Sequence, residues 1–314
     1  MKKMACAFAL TLVFAMAAQP QQPTRLNPPW AFHVINGALP PEPAGPVTLP
    51  DSKLTFPRAR IDDLSNPPDW FPEEHAPAPQ IVKFGHGDAL ACGACHLMNG
   101  QGHPESADLT GNTAAYTLQQ LADFKSGARK DSSRMNGILQ GLSDEEMRQA
   151  AEWFAAFKPK VWTKVVEAAT VPKTFVGGGR MRFKSPEGGT EPIGNRIITL
   201  PEDQERATKR DTHTGFIAYV PPGSLARGEA LVKNGGNGKT VACTICHGDT
   251  LTGLGNTPRL AGVHPIYLVR QLYLIKDGFR NGPDAQLMKK PVEKLTDEDI
   301  VDISAYLGSL PPSK

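Results

Sequence analysis

The spacing of apolar residues predicts two helices in the first half of the chain. Leu118 and Leu121 recur at helical intervals within residues 116–126, which predicts a helix there. A second helix is predicted to begin after Ser143, because Ser143 and Glu146 have the spacing of a capping box, in which each side chain accepts a hydrogen bond from the backbone N–H group of the other. Its buried face is predicted to consist of four apolar side chains, Met147, Ala150, Ala151 and Phe154.

The same arrangement returns in the last part of the chain, which indicates a duplication. Residues 266–277 are predicted to form a helix equivalent to the first, and Thr296 opens the last helix as Ser143 opens its counterpart. Five positions match between the copies: Tyr116, Gln120, Leu121, Gly127 and Arg129 correspond to Tyr267, Gln271, Leu272, Gly278 and Arg280. We therefore predict two related helical units, at residues 83–158 and 223–314.

The segments outside the two units follow other patterns. Residues 159–222 contain short β-leaning runs separated by glycine and proline pairs, which predicts a small β-rich insert. Residues 18–82, the leader, are rich in proline and form either a strap pinned to a folded surface or a disordered segment. The second unit has a predicted opening helix over residues 225–233. The first unit has too little sequence for one, so its opening helix must be shortened, displaced or supplied by the leader.

The N-terminus has the pattern of an export signal. Lys2 and Lys3 precede an apolar run over residues 4–16, and an A-x-A cleavage site ends at Ala17. We predict a signal peptide over residues 1–17, cleaved near Ala17, and a periplasmic mature protein; an uncleaved anchor is the alternative. No later stretch of the sequence is apolar for long enough to span a membrane.

Charge is distributed unequally along the predicted mature chain. Residues 18–158 carry 11 basic and 16 acidic side chains, whereas residues 159–314 carry 21 basic and 16 acidic ones. Such a dipole can steer docking to a charged protein partner. It lacks the concentrated basic surface of a nucleic-acid-binding protein, so nucleic acid is not an expected partner.

Each helical unit contains one C-x-x-C-H motif. The residues are Cys92, Cys95 and His96 in the first unit and Cys243, Cys246 and His247 in the second. Two thiols at this spacing can form thioethers with the two vinyl groups of a haem, and the following histidine can bind the iron. The motifs thus predict two covalently attached haem c groups. A Cys₄ zinc site and a dithiol redox motif are the alternatives, but zinc does not need the histidines and no βαβ pattern surrounds either pair.

The sixth iron ligand decides between an electron carrier and an enzyme, because an open position allows chemistry on a bound molecule. Met135 and Met288 are the predicted sixth ligands, opposite His96 and His247, since each lies between the two predicted helices of its unit. Two protein ligands at each iron predict an electron carrier without catalytic residues. The alternative sixth ligands are two histidines that precede the first of these helices, His103 and His264.

Together, the motifs, methionine loops and terminal helices resemble the bacterial dihaem class I cytochromes c, in particular the cytochrome c4 type. Residues 258–262 (PRLAG) and 267–271 (YLVRQ) strengthen the resemblance. It covers the two helical units, about half of the chain. It implies a mainly α fold of two class I cytochrome c modules, here joined by the β-rich insert, and single-electron transfer between a redox protein donor and acceptor.

Two other functions remain open. The chain could be the cytochrome subunit of a larger dehydrogenase or oxidase, and the leader and insert would suit permanent docking to a membrane-associated respiratory or dehydrogenase complex. A dihaem cytochrome c peroxidase has a similar length and two motifs. That class keeps one iron open to peroxide, whereas this sequence offers two equivalent methionines.

Overall fold

The computed structural model describes residues 28–42, 44–131 and 134–312. The predicted signal peptide, residues 1–17, lies outside the described residues, as do residues 18–27 of the leader. Helices dominate the two units and strands dominate the segment between them. Within the described ranges, no helix is both long and apolar enough to cross a membrane.

The described part of the leader packs against both the insert and the first unit. Its elements are β1 (Pro46–Thr48), β2 (Thr55–Pro57), α1 (Arg58–Asp62), a 3₁₀ helix (Pro72–Glu74) and α2 (Gln80–Lys83). Strands β1 and β2 pair in antiparallel fashion. The indole N–H of Trp70 donates to the carbonyl of Lys209 at 2.7 Å, and that of Trp153 donates to the carbonyl of Ala76 at 3.1 Å. These two bonds fasten the leader to its neighbours.

The first unit is built from four helices and a 3₁₀ turn. They are α3 (Gly93–His96), α4 (Ala114–Ser126), α5 (Met135–Ile138), a 3₁₀ helix (Leu139–Gly141) and α6 (Asp144–Ala155). Helix α4 begins earlier than predicted because the Thr113 hydroxyl caps it, accepting the Tyr116 N–H at 3.1 Å. The predicted capping box of Ser143 and Glu146 is confirmed. The predicted buried face of α6 is also confirmed, with Trp153 added to it.

The leader supplies the opening helix of the first unit. The N–H of Cys92 donates to the carbonyl of Ile81 in α2 at 3.1 Å. In the second unit, the N–H of Cys243 makes the equivalent bond, at 2.9 Å, to the carbonyl of Val232 in the opening helix. Ile81 and Val82 are buried in the core of the first unit. A single turn from the leader thus takes the place of a three-turn helix.

The insert contains seven short strands and one helix. They are β3 (Thr163–Glu167), β4 (Thr170–Pro172), β5 (Thr174–Val176), β6 (Arg182–Lys184), β7 (Thr190–Pro192), β8 (Ile198–Pro201), α7 (Gln204–Thr208) and β9 (Phe216–Val220), with a 3₁₀ helix at Gly178–Arg180. Strand β9 lies between β3, to which it is parallel, and β8, to which it is antiparallel. The pairs β4–β7 and β5–β6 form two separate antiparallel ribbons. The sequence pattern did not predict β4, β7 or α7, because three to five residues carry too little periodicity.

The second unit repeats the first with a complete opening helix. Its helices are α8 (Ser224–Asn234), α9 (Thr244–His247), α10 (Pro265–Lys276), α11 (Pro283–Gln286), α12 (Lys289–Val292) and α13 (Asp297–Ser309). The capping pattern predicted at Thr296 is confirmed as a capping box with Asp299. Helix α8 crosses α13 at Gly228, where an added Cβ would lie 2.0 Å from the carbonyl oxygen of Asp302. Only glycine allows this close approach.

Two buried ion pairs join the units. The Arg259 guanidinium contacts the Asp108 carboxylate at 2.6 Å, and both side chains are almost fully buried. The Arg270 guanidinium contacts the Glu105 carboxylate at 2.6 Å and donates to the carbonyl of Ala31 in the leader at 3.3 Å. Arg270 therefore connects the leader, the first unit and the second unit at one point.

The close contact of α8 and α13 at Gly228 predicts that even an alanine at this position destabilises the fold. Gly228→Ala forces α8 and α13 apart, and we expect it to lower the free energy of unfolding by about 1–3 kcal/mol, as overpacked cores do. Gly137→Ala is the matched control, since Gly137 also lies in a helix and its added Cβ meets nothing within 4 Å. Denaturant unfolding of the haem-loaded proteins measures both. Equal free energies of unfolding for the two variants would contradict a steric clash between α8 and α13 in Gly228→Ala.

The Glu105 carboxylate predicts a stability difference that depends on pH. Burial alone would raise the pKa of Glu105, but Arg270 and His33 outweigh burial and lower this pKa to about 2. A lowered acid pKa stabilises the fold above the pKa of the unfolded chain, and that stabilisation is lost as the pH falls toward 2. We therefore expect Glu105→Gln to lower the free energy of unfolding by about 2–3 kcal/mol at pH 7, and by less at pH 3.5. Denaturant unfolding at both pH values measures this difference between the wild type and Glu105→Gln. The same difference at pH 7 and pH 3.5 would contradict the stabilising role of the Glu105 carboxylate.

Candidate haem sites

The two C-x-x-C-H motifs adopt the same local structure. Each forms a single helical turn, α3 or α9, that begins directly after the first cysteine. The histidine N–H donates to the carbonyl of that cysteine at 3.0 Å in both, from His96 to Cys92 and from His247 to Cys243. One turn therefore holds both thiols and the imidazole of each motif close together.

Each motif histidine has one ring nitrogen fixed by a backbone carbonyl. His96 Nδ1 lies 2.9 Å from the carbonyl oxygen of Ala107, and His247 Nδ1 lies 2.8 Å from that of Pro258. A carbonyl can only accept, so Nδ1 carries the proton and Nε2 has the free lone pair. Burial lowers the pKa of both imidazoles, more than the carbonyl bonds raise it. The rings are therefore neutral at pH 7, as metal ligation requires.

The cysteine thiols do not have the properties of a redox dithiol. Burial raises the pKa of Cys92 to about 12 and that of Cys243 to about 11. Reactive dithiol motifs need a lowered thiol pKa, because the thiolate is the attacking species. In the described part of the chain, no three His, Cys, Asp or Glu side chains are grouped to hold a metal ion.

The predicted methionines lie at equivalent places in the two units. Met135 begins α5 and packs against the core of the first unit. Met288 lies between α11 and α12 and packs against the core of the second unit. Each is partly buried. Met98 and Met147 are buried within the core of the first unit.

His264, an alternative sixth ligand, has both ring nitrogens engaged. Nδ1 lies 2.8 Å from the Thr163 hydroxyl and Nε2 lies 3.1 Å from the carbonyl oxygen of Gln101. This buried histidine ties the second unit to the insert and the first unit. The other alternative, His103, is buried edge-on against Phe216, and burial lowers its pKa to about 3.

The structure brings the repeated polar residues of the two units into one junction. Arg129 donates to Gln120 at 2.9 Å, to Gln271 at 2.9 Å and to the Tyr267 hydroxyl at 3.0 Å. Arg280 makes the reciprocal set, with Gln120 at 2.9 Å, Gln271 at 3.1 Å and the Tyr116 hydroxyl at 2.8 Å. The sequence revealed the equivalence of these positions. It did not reveal that they contact each other.

The junction brings two guanidinium groups together without a direct ion pair. Among the described residues, neither Arg129 nor Arg280 forms a salt bridge, and the Nε atom of each is buried without a hydrogen-bond partner. Burial and the charge of Arg280 lower the pKa of Arg129, whereas at Arg280 burial is outweighed and nearby Tyr116, Tyr267 and Asp123 raise the pKa. A buried guanidinium normally has an anionic partner. The junction therefore fits an anionic group such as the propionates of a haem.

Comparison with known proteins gives consistent matches. The family model described as Cytochrome c matches residues 225–311. Cytochrome c-554(548) of Halomonas halodenitrificans is 40% identical over 75 residues, which are 24% of this chain and 90% of that protein. Cytochrome c4 of Pseudomonas aeruginosa is 27% identical over 231 residues, 72% of this chain and 87% of that protein. The thiosulfate dehydrogenase electron acceptor of Thiomonas intermedia is 26% identical over 231 residues, 72% and 81% of the two chains.

Proposed function

Because the chain belongs to the cytochrome c family, as a dihaem protein of the cytochrome c4 type with two covalently attached haem c groups, we propose that it carries single electrons between redox partners. The main support for this proposal is that both units have the same site geometry. In both units a neutral imidazole, partly buried at His96 and buried at His247, is oriented by a backbone carbonyl that accepts a hydrogen bond from its Nδ1–H group. Such a bond fixes the ring and makes Nε2 the ligating nitrogen. Haem c supplies, when bound, a one-electron iron couple.

The proposed attachment and ligand residues are the same in both units. Thioether bonds form at Cys92, Cys95, Cys243 and Cys246. His96 and Met135 would bind one iron, and His247 and Met288 the other. Arg129 and Arg280, whose buried Nε atoms have no hydrogen-bond partner among the described residues, would receive the propionates.

The proposed architecture follows from these sites. Two class I cytochrome c modules, residues 83–158 and 223–314, are joined by the β-rich insert at residues 159–222 and preceded by the leader at residues 18–82. The strands described between residues 163 and 220 support the insert. With a signal peptide over residues 1–17, the mature protein would act in the periplasm, where its role would be electron transport without catalysis.

A second candidate, electron acceptance within a dehydrogenase system, has its own support. The Thiomonas intermedia relative is named as the electron acceptor of thiosulfate dehydrogenase. Here the chain would serve one dedicated donor by the same haem chemistry. Co-purification with a dehydrogenase from the native source separates this role from that of a freely diffusing carrier.

The sixth ligand provides the sharpest test of the carrier function. Methionine sulfur favours ferrous iron and blocks the site that carbon monoxide would need. We expect both wild-type haems to be low-spin, and Met288→Ala to open only the second haem, lower its reduction potential and admit carbon monoxide. The methionine-to-iron absorption band at the red end of the ferric spectrum should fall by about half, because one of the two iron centres loses its methionine ligand.

Met135→Ala should have the same effect at the first haem, and Met147→Leu is the control. Met147 is buried in the core of the first unit, so its replacement alters packing but no predicted ligand. Optical and electron paramagnetic resonance spectra measure all three variants. A wild-type protein with one high-spin haem, or a Met288→Ala protein with an unchanged spectrum, would contradict the proposed ligation.

A further inference from the structure

The two C-x-x-C-H motifs differ in how much of their surroundings reaches solvent. Ala94, between the cysteines of the first motif, is 1% exposed, whereas its counterpart Ile245 is 69% exposed. Seven residues past each motif histidine, His103 is 6% exposed and its counterpart Leu254 is 62% exposed. Both motifs form the same single helical turn, so the difference comes from the segments packed around them.

A turn of the insert, residues 209–213, covers the first motif. The Arg210 guanidinium in this turn donates to the carbonyl of Ala94, which directly precedes the second cysteine, and at 2.8 Å to the carbonyl of Ile61 in the leader. The leader also holds the turn, since the indole N–H of Trp70 donates to the carbonyl of Lys209. The insert and the leader therefore close over the first cysteine pair together.

The insert also covers the loop that follows the first motif. The indole N–H of Trp162 donates to the carbonyl of Gly102 at 2.8 Å, and the side-chain amide of Asn99 donates to the carbonyl of Thr212 in the turn at 3.2 Å. Leu97, directly after the motif histidine, is buried against Trp162 and other apolar side chains of the insert. These contacts fix the turn, and with it the position of the guanidinium that the turn carries.

The Arg210 guanidinium carries a positive charge without a direct ion pair. Arginine stays protonated in proteins, and within the described ranges Arg210 forms no salt bridge. The acidic side chains beside it pair with other arginines: Asp62 lies 3.2 Å from Arg58, and Asp211 contacts Arg206. The charge of Arg210 is therefore directed at the carbonyl groups that it contacts, one of which belongs to the first motif.

The charge of Arg210 also acts on the interior of the first unit. Burial and then this charge lower the pKa of the buried His103 to about 3. On the other side of the motif, Arg134 and Asp131 act on Cys95 with opposite signs. These two charges oppose each other, so they do not replace the charge of Arg210.

The second motif has different electrostatic surroundings. Ile245 and Cys246 are exposed, and the nearby Asp249 carboxylate is exposed as well, so solvent screens charges at this motif. The junction arginines, Arg129 and Arg280, occupy equivalent positions in the two units and do not distinguish the haems. Arg210 is therefore a charge that acts on the first motif and not on the second.

A fixed cation beside a haem changes its reduction potential in a known direction. Ferric haem carries one more positive charge than ferrous haem, so a nearby guanidinium destabilises the ferric form more. The effect is larger where solvent is excluded, because a low dielectric constant strengthens interactions between charges. Burial and hydrogen bonding around a haem are also factors that set its potential. The charge of Arg210 and the cover around it therefore both favour the ferrous form of the first haem.

We propose that Arg210 is a redox-tuning residue that raises the reduction potential of the first haem and leaves that of the second unchanged. The inference rests on the proposed electron-carrier function. The tuned reaction moves one electron from a reduced redox protein, which is oxidised, to the ferric first haem, which is reduced, and no bond forms or breaks. The insert and the leader thus give the first haem a property that duplication of the helical unit does not provide.

Removal of the charge tests the proposal. Arg210→Gln and Arg210→Met replace the guanidinium by a neutral side chain, and we expect the equilibrium constant for reduction of the first haem to fall about tenfold, which is about 59 mV for a one-electron couple. Spectroelectrochemical titration of the haem-loaded proteins measures both potentials. The reduction step that moves in Met288→Ala identifies the second haem, whose potential should not change in the Arg210 variants.

Arg210→Lys separates the charge from the packing. Lysine keeps the positive charge but cannot reproduce the fork of donors that contacts two carbonyls. We expect this variant to keep the equilibrium constant for reduction of the first haem within about threefold of the wild type. The same fall in the lysine variant as in the two neutral variants would overturn the tuning role, because it would show that Arg210 acts only through packing.

Arg196→Gln is the matched control. Arg196 is also a partly buried arginine of the insert, and it donates to the carbonyls of Ile193 and Pro192 at 2.7 Å each, away from both motifs. Both equilibrium constants for reduction should stay within about twofold of the wild type in this variant.

The design remains decisive if a variant binds haem poorly. Mass spectrometry measures the haem content, the potentials are measured on the haems that are present, and the two neutral replacements differ in polarity. An unchanged potential of the first haem in Arg210→Gln and Arg210→Met would overturn the tuning role alone. A wild-type protein without two reversible one-electron reductions would instead refute the carrier function, so the two failures are distinguishable.

Discussion

Hydrogen bonds shared by two like-charged guanidinium groups at one junction constrain the arrangement of the two helical units. Arg129 and Arg280 occupy equivalent positions, and the amide oxygens of Gln120 and Gln271 each accept hydrogen bonds from both arginines. Shared acceptors of this kind require both units to be present in a fixed relation, since displacing one unit leaves buried donors unpaired. The positive charge that remains makes the junction a suitable place for anionic propionates.

Duplication alone would produce two equivalent sites, and the structure departs from that symmetry at specific residues. Asp108 and Arg259 occupy equivalent positions but carry opposite charges, and they form a buried ion pair across the units. Losing either partner would leave an uncompensated buried charge, which is more costly than losing a surface pair. The two units have therefore become complementary, so neither could be replaced by a second copy of the other.

Much of the fold and of the sites could be predicted because the relevant residues are close in sequence. The motifs, the capping boxes at Ser143 and Thr296 and the buried face of α6 each depend on side chains three or four positions apart. The cover of the first motif depends on contacts between residues that are far apart in sequence, 60 positions for Trp162 with Gly102 and 116 for Arg210 with Ala94. No periodicity encodes such contacts. Supply of the opening helix by the leader was one of three possibilities that the sequence left open, and α2 itself could not be located because one turn shows no helical period.

The contacts that cover the first motif require Arg210 to adopt an unfavourable backbone conformation and to bury its charge. Arg210 adopts a left-handed backbone conformation, with φ of 60°, which costs a non-glycine residue about 1–2 kcal/mol. Burial also lowers the pKa of its guanidinium, so the charged form is partly destabilised. Two backbone carbonyls offset these costs, one from the leader and one from the first motif itself. Because that arrangement needs both segments, the leader and the insert act as one structural device, and their joint effect is to leave the second motif as the accessible one.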